Sequence, residues 1–467
     1  MSNSQSSTMQ VKERTAGMTN EQAVTALIPL LITFILGTLC LQGFNLVFAQ
    51  VGKEVGAGSQ ASMITAIPGI VLGIVCFVYG SLGDFVSLKK LVTIGILTLF
   101  VGSVFGFVAG YFFHPNVWIV IFARVLQTAG EQVAGSAFLV VATKYLKPSL
   151  KVVFFGLFTA GYQFSAAIGV FAAGFFSSIH WSFLFLIPTV TILLLPILLK
   201  NLPDASGTGE KVDAWGFVIF GLGAAFLALF FSDMKWWYLV AAVAAFIIFA
   251  VYIHKASNPF VTPAFFKNTK WLVATGYILL FYFPNYFFSP MFNNVAAGVY
   301  NMDTSTASHY IVWAFIVAAV VGTSSGWIVG KIGRHATMIV ACILMACGFI
   351  TGAFVLTAGP LALTGAACLY YGGAGMLYSP VVSLVLGTLT QDESGRGVGM
   401  NDLFMNTTAS IGIAILGTLM GSNALSHVGL IADGSVAANM STLFLCAGAV
   451  VIIGFVVYLC THKKVAQ

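Results

Sequence analysis

Charge is what this sequence has least of. Of its 467 residues only 7% are Asp, Glu, Lys or Arg, while 59% are hydrophobic and the mean hydropathy is +0.98. An ordinary soluble domain carries about 25% charged residues. Twenty basic and 14 acidic side chains cannot keep so large a chain dispersed in water, so water is not its main solvent. The lack of polar composition also argues against a disordered chain. The lack of strict polar–apolar alternation argues against an outer-membrane barrel. No Walker loop, zinc motif or nucleophile elbow occurs, and no polar stretch is long enough for a nucleotide-binding domain. That argues against a primary pump in one chain and against a soluble-type enzyme, and no catalytic, metal or cofactor site is expected. The seven cysteines lie in apolar runs without zinc or redox spacing and read as small apolar fillers. His309, His335 and His427 have no partner at metal-ligand spacing.

What is present is a series of long apolar runs. A bilayer core needs about 20 apolar residues of helix, and that window predicts fourteen spans: 24–50, 60–82, 91–112, 117–143, 152–177, 181–199, 214–232, 237–254, 271–298, 308–330, 337–358, 360–387, 398–425 and 440–461. The predicted fold class is therefore an all-α polytopic membrane protein. The first apolar run is too long for a cleaved signal peptide and is expected to remain as a span. With the N-terminus cytoplasmic, 17 of the 20 cations fall in cytoplasmic segments, only Lys53 and Lys235 fall outside, and Arg124 is left within a span. The net charge of +6 then reads as topology rather than as a nucleic-acid partner.

The loop after the second span reads Gly80-Ser-Leu-Gly-Asp84-Phe-Val-Ser87-Leu-Lys89-Lys90. The loop after the tenth reads Gly326-Trp-Ile-Val-Gly330-Lys331-Ile-Gly333-Arg334-His335, at an offset of 246 residues. A duplicated six-span unit with an extra hairpin in the middle accounts for that offset, and such repeats are usual in secondary transporters. The expected organisation is a tail over 1–22, a six-helix bundle over 23–200, a linker with two extra spans over 201–269, a second six-helix bundle over 270–462, and a tail over 463–467. Glycine permits close helix approach, and a carboxylate beside cations can latch one face of a bundle. The bland alternative is a basic loop that only sets orientation.

On these residues the chain resembles the major facilitator superfamily, whose signature loop reads Gly-x-Leu-x-Asp-Arg-x-Gly-Arg-Lys/Arg. Gly80, Leu82, Asp84, Lys89 and Lys90 match it, while Phe85 and Ser87 depart from it; the second copy keeps Lys331, Gly333 and Arg334. Arg124 and Gln127 match the family's Arg-x-x-Gln in the fourth span. With fourteen spans the chain resembles the drug:proton antiporter branch, including Gram-positive tetracycline:proton antiporters and multidrug efflux proteins. The likeness is carried by His180-Trp-Ser-Phe-Leu-Phe-Leu-Ile-Pro188, Asp213-Ala-Trp-Gly216 and Asn258-Pro-Phe-Val-Thr-Pro263 with Lys267-Asn268. The resemblance implies a major facilitator fold of two six-helix repeats plus a central two-helix insertion. Two features depart from that branch. The stretch Gly161 to Gly174 in the fifth span has no proline, and the first span has the neutral run Leu39 to Gly43 where relatives carry an acid.

A charge inside a membrane costs about 2.5–3.5 kcal/mol even on the most lenient scale, so the few present point to function. Arg124, Gln127 and Glu131 are spaced to share one stripe of the fourth span. Glu131 is the candidate titrating carboxylate and Arg124 its modulator. The alternatives are a substrate contact or a static polar pin, since about 10 Å of helix axis separates the two. Asp402, near the start of the thirteenth span, reads as a cap or a partner of Arg396. Tyr282, Asn285, Tyr286 and Ser289 form a stripe in the ninth span, and with Gln127, Gln163 and Asn406 they are the candidate cavity lining. Asn401 and Thr407 are weaker candidates. Helix–helix hydrogen bonds would explain the same residues without a substrate. Gly102, Gly106 and Gly110 form a close-packing ladder.

The expected function is secondary transport by alternating access, exporting lipophilic or amphipathic small molecules in exchange for protons. The rival is a proton-independent or symport-type facilitator of a small organic metabolite, and a third possibility is a non-transporting scaffold or membrane enzyme. The expected partners are the lipid bilayer, a small-molecule substrate and protons. The expected setting is a bacterial plasma membrane, with the protein a monomer and both termini cytoplasmic.

Overall fold

The computed structural model describes residues 18–82, 86–204, 212–390, 394–428 and 435–466. Fifteen α-helices and no strands occur among them. The first group is α1 (Asn20–Glu54), α2 (Met63–Leu82), α3 (Leu88–Phe112), α4 (Val117–Tyr145), α5 (Pro148–Ser177) and α6 (Leu195–Asn201). A 3-10 turn over Gly58–Ser62 leads into α2, and a 14-residue 3-10 segment over Trp181–Leu194 leads into α6. Pro188, inside that segment, lacks the N–H that an α-turn there would use. The hairpin α7 (Ala214–Asp233) and α8 (Trp236–Lys255) follows. The second group is α9 (Thr269–Tyr282), α10 (Phe288–Gly298), α11 (Thr304–Ile332), α12 (Arg334–Val355), α13 (Pro360–Leu386), α14 (Ser394–Ser422) and α15 (Val436–Ala466).

Thirteen helical stretches among the described residues are long and apolar enough to cross a membrane. Each coincides with one of the expected spans. The exception is the ninth, expected as one helix over 271–298. It is two helices, α9 of 14 residues and α10 of 11, joined by turns over 283–287. Pro284 lacks the N–H that would continue the ladder, and the backbone bends there so that α14 can come close. A Cβ built on Gly412 of α14 would lie 1.8 Å from the Phe283 carbonyl oxygen. The broken ends pair locally: Asn285 N donates to Tyr282 O at 3.0 Å and Phe287 N to Pro284 O at 3.1 Å.

Local chemistry sets the helix ends. Thr19 and Gln22 form a reciprocal capping box at the start of α1. Asn116, Asp213 and Asp303 accept from the first turns of α4, α7 and α11. Asp303 lies outside the spans, and the Thr306 donors hold its carboxyl below the usual aspartate range.

Within the first group α1 packs on α4 and α5, α2 on α4, and α3 on α4. Within the second, α12 packs on α13 and α15, and α11 on α13. Two extensive seams join the groups, α2 with α14 and α5 with α11, and α1 also touches α10. Under the six-span repeat α2 corresponds to α11 and α5 to α14, so each seam is the image of the other. The glycine ladder of α3 serves two partners: Gly102 meets Leu126 and Gln127 of α4, while Gly106 and Gly110 meet Phe185, Trp181 and Ser182.

The bundle has two faces. The basic face carries the start of α1 and residues Lys89, Lys90, Lys331 and Arg334. On the far face the two groups are tied together. Asn293 Nδ2 donates to Leu46 O at 3.3 Å, Thr304 Oγ1 donates to Gln50 Oε1 at 3.2 Å, and a Cβ on Gly174 would lie 2.0 Å from Ser308 Oγ. A recess of about 310 Å³ lies over this closure, lined by Gln50, Lys53, Ser178, Asn293, Asp303 and Thr304.

Candidate functional site

The α4 stripe forms as its spacing predicts, and all three side chains are buried. Arg124 is 0% exposed, Gln127 0% and Glu131 2%. One Arg124 amino group donates to Gln127 Oε1, and Gln127 Nε2 passes the chain on to Ser103 Oγ of α3 at 3.2 Å. The guanidinium also lies 4.5 Å over the ring of Phe44, a cation–π contact from α1. Arg124 Nε and Nη2 and Glu131 Oε2 have no partner. No ion pair joins Arg124 to Glu131, as their axial separation foretold. Glu131 has room because α1 carries glycine there: a Cβ on Gly37 would lie 2.4 Å from Glu131 Cβ and 2.9 Å from its Oε2.

The candidates on the second group gather at the helix break. Tyr286 Oη donates to Asn406 Oδ1, Asn406 Nδ2 donates to Asp402 O at 2.9 Å, and Ser410 Oγ donates to Asn406 O at 2.7 Å. Small residues on α2 let the two groups meet here. A Cβ on Gly69 would lie 2.3 Å from Ser410 Oγ and 3.2 Å from the Tyr286 ring; one on Gly73 would lie 3.2 Å from Asn406 Cβ. Asn401 Nδ2 and Thr407 Oγ1 are buried without a hydrogen-bond partner.

Some expectations need correction. Because the ninth span breaks, Tyr282, Asn285, Tyr286 and Ser289 are not one helical stripe: Tyr282 ends α9, Asn285 and Tyr286 lie in the turns, and Ser289 opens α10. Gln163 lies in the α5–α11 seam, where a Cβ on Gly322 would come within 2.2 Å of its Nε2. Asp402 is not a cap, since α14 begins at Ser394, two turns earlier. The Arg396 side chain lies outside what is described, as do Asp84 and the surroundings of Gly80.

Sequence reasoning passed over three cavity residues. Tyr162 of α5, Tyr378 of α13 and Cys76 of α2 lie within electrostatic reach of Asp402, and Tyr162 and Cys76 also of Glu131. Tyr282 shares this neighbourhood with Tyr162 and Asp402. Tyr162 is 45% exposed and Tyr378 49%, although both belong to this interior group, so open space reaches the site. The signals were weak but present: Tyr162 precedes Gln163, and Asp402 stands one helical turn before Asn406.

At the basic face, Ser87 caps α3 and donates to Asp204 Oδ1 at 2.6 Å, and Lys89 N donates to Pro203 O at 3.3 Å. The Ser87 bond, opposed slightly by desolvation and helped by Lys89 and Lys90, holds the Asp204 carboxyl below its ordinary value. In the second copy Lys331 Nζ lies 5.1 Å over the Trp327 ring, Gly333 adopts φ 82° as α11 ends, and Arg334 opens α12.

The family model of the Major Facilitator Superfamily matches residues 30–413. Among solved structures, the chain is similar to a peptide transporter of the POT type in complex with sulfate. That match has 15% identity and a TM-score of 0.67, covering 97% of this chain and 98% of that one. A POT family transporter in complex with 5-aminolevulinic acid matches at 12% identity and TM-score 0.66, covering 96% and 97%. A D-xylose-proton symporter matches at 12% identity and TM-score 0.66, covering 93% and 97%.

Proposed function

The chain belongs to the major facilitator superfamily, and from that premise we propose a proton-coupled exporter of lipophilic or amphipathic small molecules that works by alternating access. The basic face is cytoplasmic in this reading, because the positive charges gather there. The observation that carries it is the pairing of a closed far face with an interior that open space still reaches. The halves are tied at Asn293–Leu46 and Thr304–Gln50, while Tyr162 and Tyr378 keep about half of their surface. This is an inward-facing arrangement with Glu131 and Asp402 at its interior end.

Glu131 takes the coupling role. It is buried on the same stripe as Arg124 without touching it, and Gly37 of α1 packs against it, so a small shift of α1 against α4 changes how well it is shielded from water. A group that binds its proton differently in two conformations couples proton movement to the change between them. Arg124 is anchored through Gln127 and Phe44 and serves as the fixed charge. Tyr162, Tyr282, Tyr286 and Tyr378 provide flat apolar surfaces with polar tips, suited to an amphipathic ligand. Lys89, Lys90, Lys331 and Arg334, at helix ends on the basic face, take the role of closing that face when the far face opens, together with Gly80 and Asp84 of the signature stretch.

Everted vesicles loaded with a pH-sensitive dye test the reading. After energisation, adding tetracycline or ethidium should release protons in vesicles with the native chain and not with Glu131→Gln. Unchanged proton release in Glu131→Gln would remove Glu131 from the coupling. The symport-type reading draws on the named activity of the xylose-proton neighbour. It predicts the opposite: accumulation of a small metabolite in right-side-out vesicles under an inward proton gradient, and no response to either drug.

A further inference from the structure

The central hairpin is held in two different ways by the two halves. At the far face, Asp233 at the end of α7 accepts from Ser59 Oγ at 2.8 Å and Gln60 Nε2 at 2.9 Å, and Ser232 Oγ donates to Ser59 O at 2.8 Å. All three bonds reach the turn that leads into α2. Along its length α7 packs on α2 and on α14 alike, and a Cβ on Gly221 would lie 2.7 Å from Ile74 Cδ1 of α2. At the basic face Asp213 accepts from Gly216 N at 2.9 Å, Tyr252 Oη at 2.5 Å and Phe260 N at 2.9 Å, locking both hairpin ends to the connector. There Phe77 of α2 meets Phe217 at 5.0 Å and Phe260 at 5.6 Å. Among the described residues no hydrogen bond or ion pair joins α7 or α8 to α14. α8 touches α7 and turns Trp236, Val240 and Ile247 outward.

We propose that the hairpin is a sliding brace: it moves as one body with the first six-helix bundle and slips along α14 as the two bundles rock. The reasoning is physical. The Asp233 side chain is only 5% exposed, so stripping it of its donors would leave a buried carboxylate unsatisfied, whereas apolar side chains exchange neighbours along a helix at little cost. The hairpin therefore follows the half to which its polar anchors point. It covers the α2–α14 seam, while among the described residues no helix covers the symmetry-related α5–α11 seam in this way. The brace makes the two seams unequal, since one moves beneath a sliding apolar face and the other does not. This inference rests on the alternating-access reading above.

Spin-label distances test it without knowledge of the substrate. Labels are placed on Lys235→Cys in the hairpin turn, Glu54→Cys at the far end of α1 and Ser422→Cys at the far end of α14, pairwise, in a chain whose native cysteines are replaced. Each pair is measured in the otherwise native protein and with Gly174→Trp, which cannot fit against Ser308 and forces the α5–α11 seam apart at the far face. The 54–422 distance should lengthen by several ångströms, the 235–422 distance should change with it, and the 235–54 distance should stay single and fixed. Adding Asp233→Ala should broaden the 235–54 distribution. A 235–54 distance that shifts as much as 54–422, with 235–422 constant, overturns the brace and assigns the hairpin to the second bundle. A 54–422 distance that never changes overturns the rocking motion itself.

Discussion

Two carboxylates face the interior of this bundle, one from each half, and they are held very differently. Glu131 stands on an unbroken helix, 2% exposed, with Gly37 pressed against it and Arg124 two turns away. Asp402 stands on α14 opposite the broken α9–α10 helix, half-buried, with tyrosines rather than a described cation as its neighbours. The same chemical group thus has a dry, tightly packed setting in one half and a partly exposed, aromatic one in the other. A tightly packed setting suits a proton that must be gained or lost with conformation. A partly exposed setting suits a ligand that must enter and leave.

The sharpest break of this comparison is to neutralise each acid in turn. Glu131→Gln should lower proton-coupled flux about a hundredfold, the factor that moves a balanced two-state equilibrium to about 99:1. Asp402→Asn should leave coupling intact and weaken apparent drug affinity about tenfold, the scale of one lost interaction with a charge. Flux assays across a drug concentration series separate the two, and identical phenotypes would erase the distinction. A smaller effect is expected from filling the space beside Glu131. Gly37→Ala forces a Cβ into its side chain and should destabilise by about 1–3 kcal/mol, read as a lower thermal midpoint in detergent. Tyr286→Phe removes the bond to Asn406 on the Asp402 side and should cost about 1 kcal/mol in the same melt.

The smallest effect lies at the basic face. The Asp204 carboxyl is held below its ordinary value by Ser87. Its contribution is therefore present above the ordinary aspartate range of about 4 and fades as pH falls through and below it. Ser87→Ala should lower the melting temperature slightly at neutral pH and leave it unchanged well below about pH 4, so that the fall on acidification becomes shallower. A loss confined to acid pH would contradict the assignment.

Much of this was legible in the residues, for definite reasons. Span positions follow from apolar run length, which the bilayer imposes without reference to packing. The α4 stripe follows from 3.6 residues per turn, which needs no partner helix. The ninth span was misjudged because proline within a membrane helix can be absorbed as a kink or end the helix, and which occurs depends on what lies alongside. Here α14 supplies Gly412, and the chain gives way at Phe283. The cap reading of Asp402 fails because depth alone does not locate a helix start, and its neighbours come from α2, α5 and α13, far away in sequence.

The sequence by itself determined the solvent, the helical class, the six-span repeat and the line of Arg124, Gln127 and Glu131, since each depends on local composition or helical period. The tertiary structure decided which acid is enclosed and which is partly exposed, where the ninth helix breaks, and which half the hydrogen bonds of Ser232 and Asp233 reach. Those outcomes turn on contacts across seams, where glycine on one helix makes room for a side chain or carbonyl of another, and no single segment carries that information.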